Sequence, residues 1–142
     1  MTRTEIEQLF QRRQQVWKRR DAESLGSFHS EDGVVKSPIF GTVKGRKAIT
    51  ESYVNLFKTF ADWDIETTWL IVEGSQAAQS FTAQATHTSE LFGVPATQRR
   101  CEIHGVLFMA LDEKGLVKRE ERFYDFTSLL LQIGVLKAKP AF

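Results

Sequence analysis

The spacing of hydrophobic residues changes once along this chain, near Asp64, and this change constrains the fold more than any other feature. Before Asp64, apolar residues recur at helical spacing near the N-terminus and again between Ala48 and Phe60. After Asp64, four segments rich in β-branched and aromatic residues are separated by turn sequences such as Glu73-Gly74-Ser75. Helices that precede a run of consecutive strands predict an α+β fold, with the helices on one face of a mostly antiparallel sheet.

The predicted order of elements is α-α-β-β-α-β-β-β-β, followed by a short C-terminal helix. Thr2 and Glu5 have the spacing of a capping box for the first helix, and Asp21 can cap the second. Residues 31–33 predict a turn before the first strand, and Pro38 separates that strand from the next. The predicted ranges are 22–28 for the second helix, 34–37 and 39–43 for the first strands, 65–72, 76–88, 99–111 and 116–124 for the later strands, and 126–133 for the last helix.

Length and charge limit the classes of function. A chain of 142 residues is expected to form a single domain over residues 1–142, and its net charge of +1 gives no electrostatic reason to expect a nucleic-acid partner. The basic residues from Arg12 to Arg20 are interpreted as a solvated helix face. No segment of about 18 apolar residues predicts a membrane span. The single cysteine, Cys101, fits a reducing compartment, and the expected location is cytoplasmic.

Aromatic residues are abundant, with Phe at 11 positions, Trp at three and Tyr at two. This content fits a wide apolar cavity, and it fits a well-filled core equally well. If there is a cavity, the side chains predicted to contact a small hydrophobic ligand are Phe40, Tyr53, Phe57, Trp63, Phe92, Glu102, Phe108 and Phe123.

The three histidines have no spacing typical of a metal site, such as HxH or HExxH, so no metal is expected. His87 and His104 lie in predicted strands and are candidates for a catalytic or ligand-polarising role. A histidine on a strand is more often a hydrogen-bonded structural group, and both interpretations stay open. Cys101 is interpreted as a passive strand residue, although the neighbouring arginines could lower the pKa of its thiol.

The last predicted hairpin contains a candidate catalytic carboxylate, Asp125. With residues 112–115 as the loop, Glu102 lies opposite Asp125. If the face of the strand that carries Asp125 lines the inside of a curved sheet, burial raises the pKa of Asp125 and makes it a general acid or base near neutral pH. Two alternatives stay open, because a β-bulge would change the pairing and Asp125 can cap the final helix. Residues on the same predicted face are Val117, Arg119, Glu121 and Phe123.

Several segments resemble a known family. THTSELFGVPAT (86–97), GLVKREERFYD (115–125) and DFTSLLLQIG (125–134) resemble the SnoaL-like polyketide cyclase family, and SPIFGTVKGRKAI (37–49) and FADW (60–63) agree with it. The resemblance covers nearly the whole chain, and the ending D-x-x-x-L-L-x-Q-x-G is its most specific part. It implies the nuclear transport factor 2-like, cystatin-like fold, a cone in which a curved sheet wraps around a long helix and encloses a deep pocket.

The resemblance also implies a function. In the cyclases, the aspartate of this ending is a general acid or base in an intramolecular aldol ring closure that needs no cofactor, and it corresponds to Asp125. We therefore expect a cofactor-independent enzyme that acts on a hydrophobic, carbonyl-bearing small molecule by aldol cyclisation or isomerisation. Pairing through the outer face of the sheet is common in such proteins, so a homodimer is expected. Ser89 and Gln98 stand where relatives often have glycine, which affects the expected substrate more than the fold.

Two other functions stay open. Epoxide hydrolases of the limonene type resemble this fold and use an Asp-Arg-Asp arrangement, for which Arg100, Glu102 and Asp125 are the candidates here, with Glu in place of the expected Asp. The third interpretation is a non-catalytic module that binds a hydrophobic ligand or forms a dimer.

Overall fold

The computed structural model describes residues 1–137, and these residues form four helices and one six-stranded sheet in the predicted α+β order. The helices are α1 (Arg3–Arg19), α2 (Ala22–Ser27), α3 (Arg46–Thr59) and α4 (Phe126–Gln132). The strands are β1 (His29–Ser37), β2 (Gly41–Lys44), β3 (Asp64–Glu73), β4 (Gln76–Thr86), β5 (Arg100–Leu111) and β6 (Val117–Tyr124).

The strands lie side by side in the order β2-β1-β6-β5-β4-β3. Every neighbouring pair is antiparallel except β1 and β6, which run parallel. This mixed, mostly antiparallel sheet confirms the predicted sheet type. Among residues 1–137, no helix is both long enough and apolar enough to cross a membrane.

The hydrophobic core lies between α1, α3 and the inner face of the sheet. α1 begins at the predicted capping box, in which Thr2 Oγ1 accepts from the Glu5 N–H and Glu5 Oε2 accepts from the Thr2 N–H. Its buried residues recur at helical spacing, and full burial of one such aliphatic or aromatic side chain stabilises the fold by about 1.5–3 kcal/mol. The apolar residues of α1 and α3 that are buried in this way are Ile6, Leu9, Phe10, Val16, Trp17, Ile49, Tyr53 and Leu56.

Strand β1 begins at His29, five residues before the predicted start at Val34, so the predicted turn at residues 31–33 is wrong. The register between β1 and β6 shifts between His29 and Val34, so the residues between them (30–33) form an irregular part of the strand. Gly33 is suited to this place, because a Cβ there would come within 3.1 Å of the backbone oxygens of Ser30 and Val117.

Strand β6 carries a bulge that decides which of its side chains point inward. Leu111 pairs with Val117 but Ala110 pairs with Arg119, so Lys118 is an extra residue in β6. Beyond the bulge the alternation is inverted: Glu120 is fully buried, whereas Phe123 is 57% exposed. The predicted register and the predicted inward face of this strand are therefore wrong.

Candidate functional site

An apolar cavity of about 30 Å³ lies between the helices and the inner face of the sheet. This volume is enough for about one water-sized group. Most of its wall is aromatic or aliphatic, and Arg122 is the charged residue in it. The lining residues that matter below are Trp17, Ser37, Phe40, Trp63, Arg122 and Tyr124.

Arg122 is held in place by two hydrogen bonds and two aromatic rings. Its Nε donates to Glu120 Oε2 at 2.5 Å, and its Nη2 donates to Tyr53 Oη at 3.0 Å. The guanidinium carbon lies 5.9 Å from the ring centroid of Trp17 and 5.2 Å from that of Tyr53, within the range of cation–π attraction. Among residues 1–137, no acceptor bonds to Nη1 of Arg122. This N–H group is therefore free to bind a ligand.

Glu120 links Arg122 to a second buried guanidinium. Arg13, only 2% exposed, donates from Nη2 to Glu120 Oε1 at 2.7 Å. Burial alone would raise the pKa of Glu120, but the positive charges of Arg122 and Arg13 lower it to about 2. Glu120 is therefore ionised at neutral pH and anchors both arginines.

Tyr53 and His29 complete this cluster. Tyr53 Oη accepts from Nη2 of both Arg13 and Arg122, and it contacts His29 Nε2 at 3.0 Å. A hydroxyl group has one proton, so Tyr53 donates it to His29 Nε2 and the imidazole carries its own proton on Nδ1. Burial lowers the pKa of His29 to about 3, which keeps the ring neutral. We call Arg13, His29, Tyr53, Glu120 and Arg122 the buried charge cluster.

Asp125 is exposed and lies at the N-cap of α4, where its Oδ1 accepts from the Ser128 N–H at 3.0 Å. The expected burial of this carboxylate is wrong, because the bulge in β6 directs Glu120, Arg122 and Tyr124 inward instead. The alternative that Asp125 caps the last helix is confirmed. Its catalytic role stays a prediction.

The two candidate histidines lie outside the cavity wall. His104 is on the outer face of the sheet, with its side chain 73% exposed and Nδ1 bonded to Thr82 Oγ1 at 2.9 Å. His87 is buried, and its Nδ1 accepts from the Thr97 N–H at 3.1 Å. This hydrogen bond fixes the His87 proton on Nε2, which has no partner within residues 1–137.

Four of the predicted ligand-contacting residues lie in or beside the cavity. Phe40 and Trp63 line it, Tyr53 orients Arg122, and Phe57 packs edge-on against Trp17 with ring centroids 5.7 Å apart. Two of these residues, Phe40 and Trp63, are thus in the cavity wall, and ligand contact by all four stays a prediction.

The other four predicted ligand-contacting residues point away from the cavity. Phe92 is exposed in a loop, and Glu102 is exposed on the outer face of the sheet. Phe108 and Phe123 share that face, because the residues directly before and after each of them in β5 and β6 point inward and side chains alternate along a strand. The contacts expected from these residues inside a pocket are therefore wrong.

The arrangement expected for an epoxide hydrolase is not formed. Arg100 lies on the exposed outer face and pairs with Asp62 at 3.0 Å. Glu102 accepts from Gln84 on the same face, and Asp125 is not its partner across the strands. Arg100, Glu102 and Asp125 therefore do not converge on a cavity.

The interpretation of the basic residues from Arg12 to Arg20 as a solvated face is wrong for Arg13, which is buried. It follows Ile6 and Phe10 at helical spacing and precedes Trp17, so it lies on the apolar stripe of α1. A charged residue on such a stripe indicates a buried partner. The inward direction of Glu120 and Arg122 had no comparable signal, because it depends on the bulge.

Comparison with known proteins gives a family match and structural neighbours. A family model described as SnoaL-like polyketide cyclase matches residues 7–133. Among curated proteins, no sequence matches the chain.

Among solved structures, AclR from Streptomyces galilaeus has 24% identity and a TM-score of 0.82, covering 99% of this chain and 87% of its own. TsrD from Streptomyces laurentii has 20% identity and a TM-score of 0.82, covering 96% and 99%. A protein from Catenulispora acidiphila with a ketosteroid isomerase-like fold, in complex with trimethylamine, has 16% identity and a TM-score of 0.70, covering 88% and 92%. At these identities the likeness establishes the fold.

Proposed function

Because the chain belongs to the SnoaL-like polyketide cyclase family, we propose that it is a cofactor-independent enzyme acting on a hydrophobic, carbonyl-bearing small molecule. The observation that carries this proposal is Arg122, a fixed guanidinium with a free N–H group in the wall of an otherwise apolar cavity. The trimethylamine complex of the Catenulispora acidiphila relative supports a small-molecule ligand.

Arg122 is suited to stabilise an enolate. A substrate carbonyl oxygen bonded to Nη1 gains negative charge when the neighbouring carbon loses its proton, and a charge-assisted hydrogen bond then strengthens. The guanidinium is already fixed by Glu120 and Tyr53, so little reorganisation accompanies the reaction. The apolar wall lowers the local dielectric constant and increases this stabilisation.

The proposed reaction is an intramolecular aldol closure. The enolate carbon attacks a second carbonyl carbon of the same molecule, a C–C bond forms, and the C=O π electrons move to oxygen as an alkoxide. The proton removed from carbon is returned to this alkoxide, so the product is an isomer of the substrate and no redox partner is needed. If the enolate is instead protonated at a different carbon, without ring closure, the enzyme is an isomerase.

Asp125 is the proposed proton acceptor. It directly follows Tyr124, which lines the cavity, so their Cα atoms are about 3.8 Å apart. Its Oδ1 is used in capping α4, whereas Oδ2 has no hydrogen-bond partner among residues 1–137. In this proposal Asp125 acts from its exposed position at the N-cap of α4, because the buried position expected from sequence does not exist.

A substrate body needs more room than the cavity of about 30 Å³ provides. Phe40 is half-buried, borders the cavity and lies in the turn between β1 and β2. We propose that Phe40 moves aside when the substrate enters, because a turn residue is less constrained than the strands around it.

The decisive experiment is turnover of aryl di- and triketones, followed by chromatography and NMR for an isomeric product. Arg122→Gln is expected to lower kcat by about 10²–10³-fold, since one oxyanion donor is lost. Arg119→Gln, on the same strand but on the outer face, is the matched control and should retain activity. Asp125→Asn retains a capping side chain and should lower kcat if this carboxylate takes the proton.

Two results would replace the proposal. Ligands that bind equally well to wild type and Arg122→Gln, without turnover in either, would establish a binding module. Incorporation of labelled water oxygen into a diol would establish an epoxide hydrolase.

A further inference from the structure

The buried charge cluster contains more positive than negative charge. Arg13 and Arg122 are cations, and Glu120 is the one carboxylate that pairs with either of them among residues 1–137. His29 is neutral, and burial raises the pKa of Tyr53, which keeps the phenol neutral as well. The cluster therefore carries one positive charge that no described residue balances.

The unbalanced charge is presented at the cavity by Arg122. Arg13 donates from Nη2 to both Glu120 and Tyr53, its buried Nε has no partner among residues 1–137, and it is not part of the cavity wall. Arg122 is part of that wall and keeps Nη1 free. An unbalanced buried charge is costly to a protein and is found mainly where a ligand or reaction compensates it.

A second unpaired donor belongs to the same cavity wall. The indole N–H of Trp63 is fully buried and has no acceptor among residues 1–137. The ring centroid of Trp17 lies 6.5 Å from that of Trp63 and 5.9 Å from the guanidinium carbon of Arg122. Burial also raises the pKa of Tyr124, in the same wall, to about 12, so its hydroxyl keeps its proton.

The polar groups of this cavity are thus a cation and neutral N–H and O–H groups, and no carboxylate belongs to its described wall. We propose that the molecule held here binds as a delocalised oxygen anion, either an ionised 1,3-dicarbonyl or a carboxylate, attached to an apolar body. This inference rests on two parts of the proposed function, that the cavity is the ligand site and that Phe40 moves aside, and it specifies the chemical class of the substrate.

The test compares ligands of the same shape and different charge by isothermal titration calorimetry at constant pH and salt. Benzoate, benzamide and benzylammonium form one series, and dimedone, an acidic 1,3-diketone, is compared with its neutral enol methyl ether. Each anion is expected to bind at least about tenfold more tightly than its neutral partner, because the hydrogen bond to Arg122 becomes fully charge-assisted. If benzoate binds more tightly than dimedone, the anion is a carboxylate. If dimedone binds more tightly, it is an ionised 1,3-dicarbonyl.

Two variants locate the binding. Trp63→Phe keeps an aromatic ring and removes the N–H, and it should weaken anion binding several-fold without changing the thermal unfolding temperature greatly. Arg122→Gln should abolish the preference for anions, whereas Arg119→Gln should keep it. Equal binding of benzoate and benzamide to the wild-type protein, or strongest binding of benzylammonium, would overturn the inference.

Binding and turnover separate this inference from the proposed function. Anion preference in a protein that turns over no ketone would support the ligand class and refute the enzyme. Turnover of neutral diketones with no anion preference would refute the ligand class and support the enzyme.

Discussion

Among the residues of the buried charge cluster, Glu120 contributes most to its stability, because it pairs with both guanidinium groups. We predict that Glu120→Gln lowers the free energy of unfolding by about 3–5 kcal/mol, since two buried cations lose their counter-ion. Urea unfolding measures this change. Glu121→Gln is the matched control, because the Glu121 carboxylate pairs with Arg119 on the outer face, and this change should alter stability by less than about 1 kcal/mol. A loss as small as the control's would show that Glu120 is dispensable to the fold.

The lowered pKa of His29 predicts how the free energy of unfolding depends on pH. Its pKa is about 3 in the folded protein and 6.5 in the reference state, so between these values the unfolded chain binds more protons. Stability therefore falls as the pH is lowered from 6.5 towards 3, at up to about 1.4 kcal/mol per pH unit. Glu120, with a pKa of about 2 against 4.5, adds a loss of the same sign below pH 4.5.

The His29 contribution is isolated between pH 6.5 and 4.5, above the window in which Glu120 contributes. His29→Gln keeps an acceptor for the Tyr53 hydroxyl and does not titrate, so its unfolding free energy should vary less with pH than that of the wild type. Urea unfolding at several pH values measures both curves. Parallel curves would exclude His29 as the source of the dependence.

Secondary-structure elements were largely predictable from the sequence, and their faces were predictable only where alternation is unbroken. α1 and α3 follow from apolar spacing, and the four late strands follow from β-branched segments and turns. In β6 the segment from Lys118 to Arg122 is charged throughout, so no hydrophobic pattern marks the extra residue. The bulge is a property of the pairing with β5 and β1, which the sequence of β6 alone does not contain.

The bulge itself predicts the effect of shortening β6 by one residue. Deletion of Lys118 removes the extra residue, so regular alternation from the buried Val117 keeps Glu120 and Arg122 on the inner face. We expect a cooperatively folded protein that still binds its ligand, as measured by circular dichroism and calorimetry. Lys118→Ala keeps the bulge and should change stability by at most about 0.5 kcal/mol. A deletion variant that folds but binds no ligand, while Lys118→Ala binds it normally, would contradict the assigned role of the bulge.

The two faces of the sheet differ: the inner face packs against the helices, and the outer face exposes apolar side chains. The inner face and helices enclose the buried charge cluster, which the sequence indicated only through Arg13. The outer face carries apolar residues in register, since Ile71 pairs with Ala78 and Ala78 pairs with Phe108. Ile71 is 61% exposed, and Phe123 in β6, which pairs with Val106 in β5, is exposed on the same face. An exposed apolar patch on a sheet face is typical of an interface between proteins.

This patch is the proposed surface for a homodimer, in agreement with the pairing expected from the family resemblance. We predict that Ile71→Asp produces monomers, because an interface would bury the new carboxylate without a partner. Val54→Asp is the control, since Val54 is also exposed but lies on α3, away from the sheet. Size-exclusion chromatography with light scattering gives the mass of each variant over a range of concentrations. A wild-type protein that stays monomeric at high concentration, or an Ile71→Asp variant that still dimerises, would refute this surface. If Ile71→Asp is monomeric and retains ligand binding, the cavity of each subunit is complete without its partner.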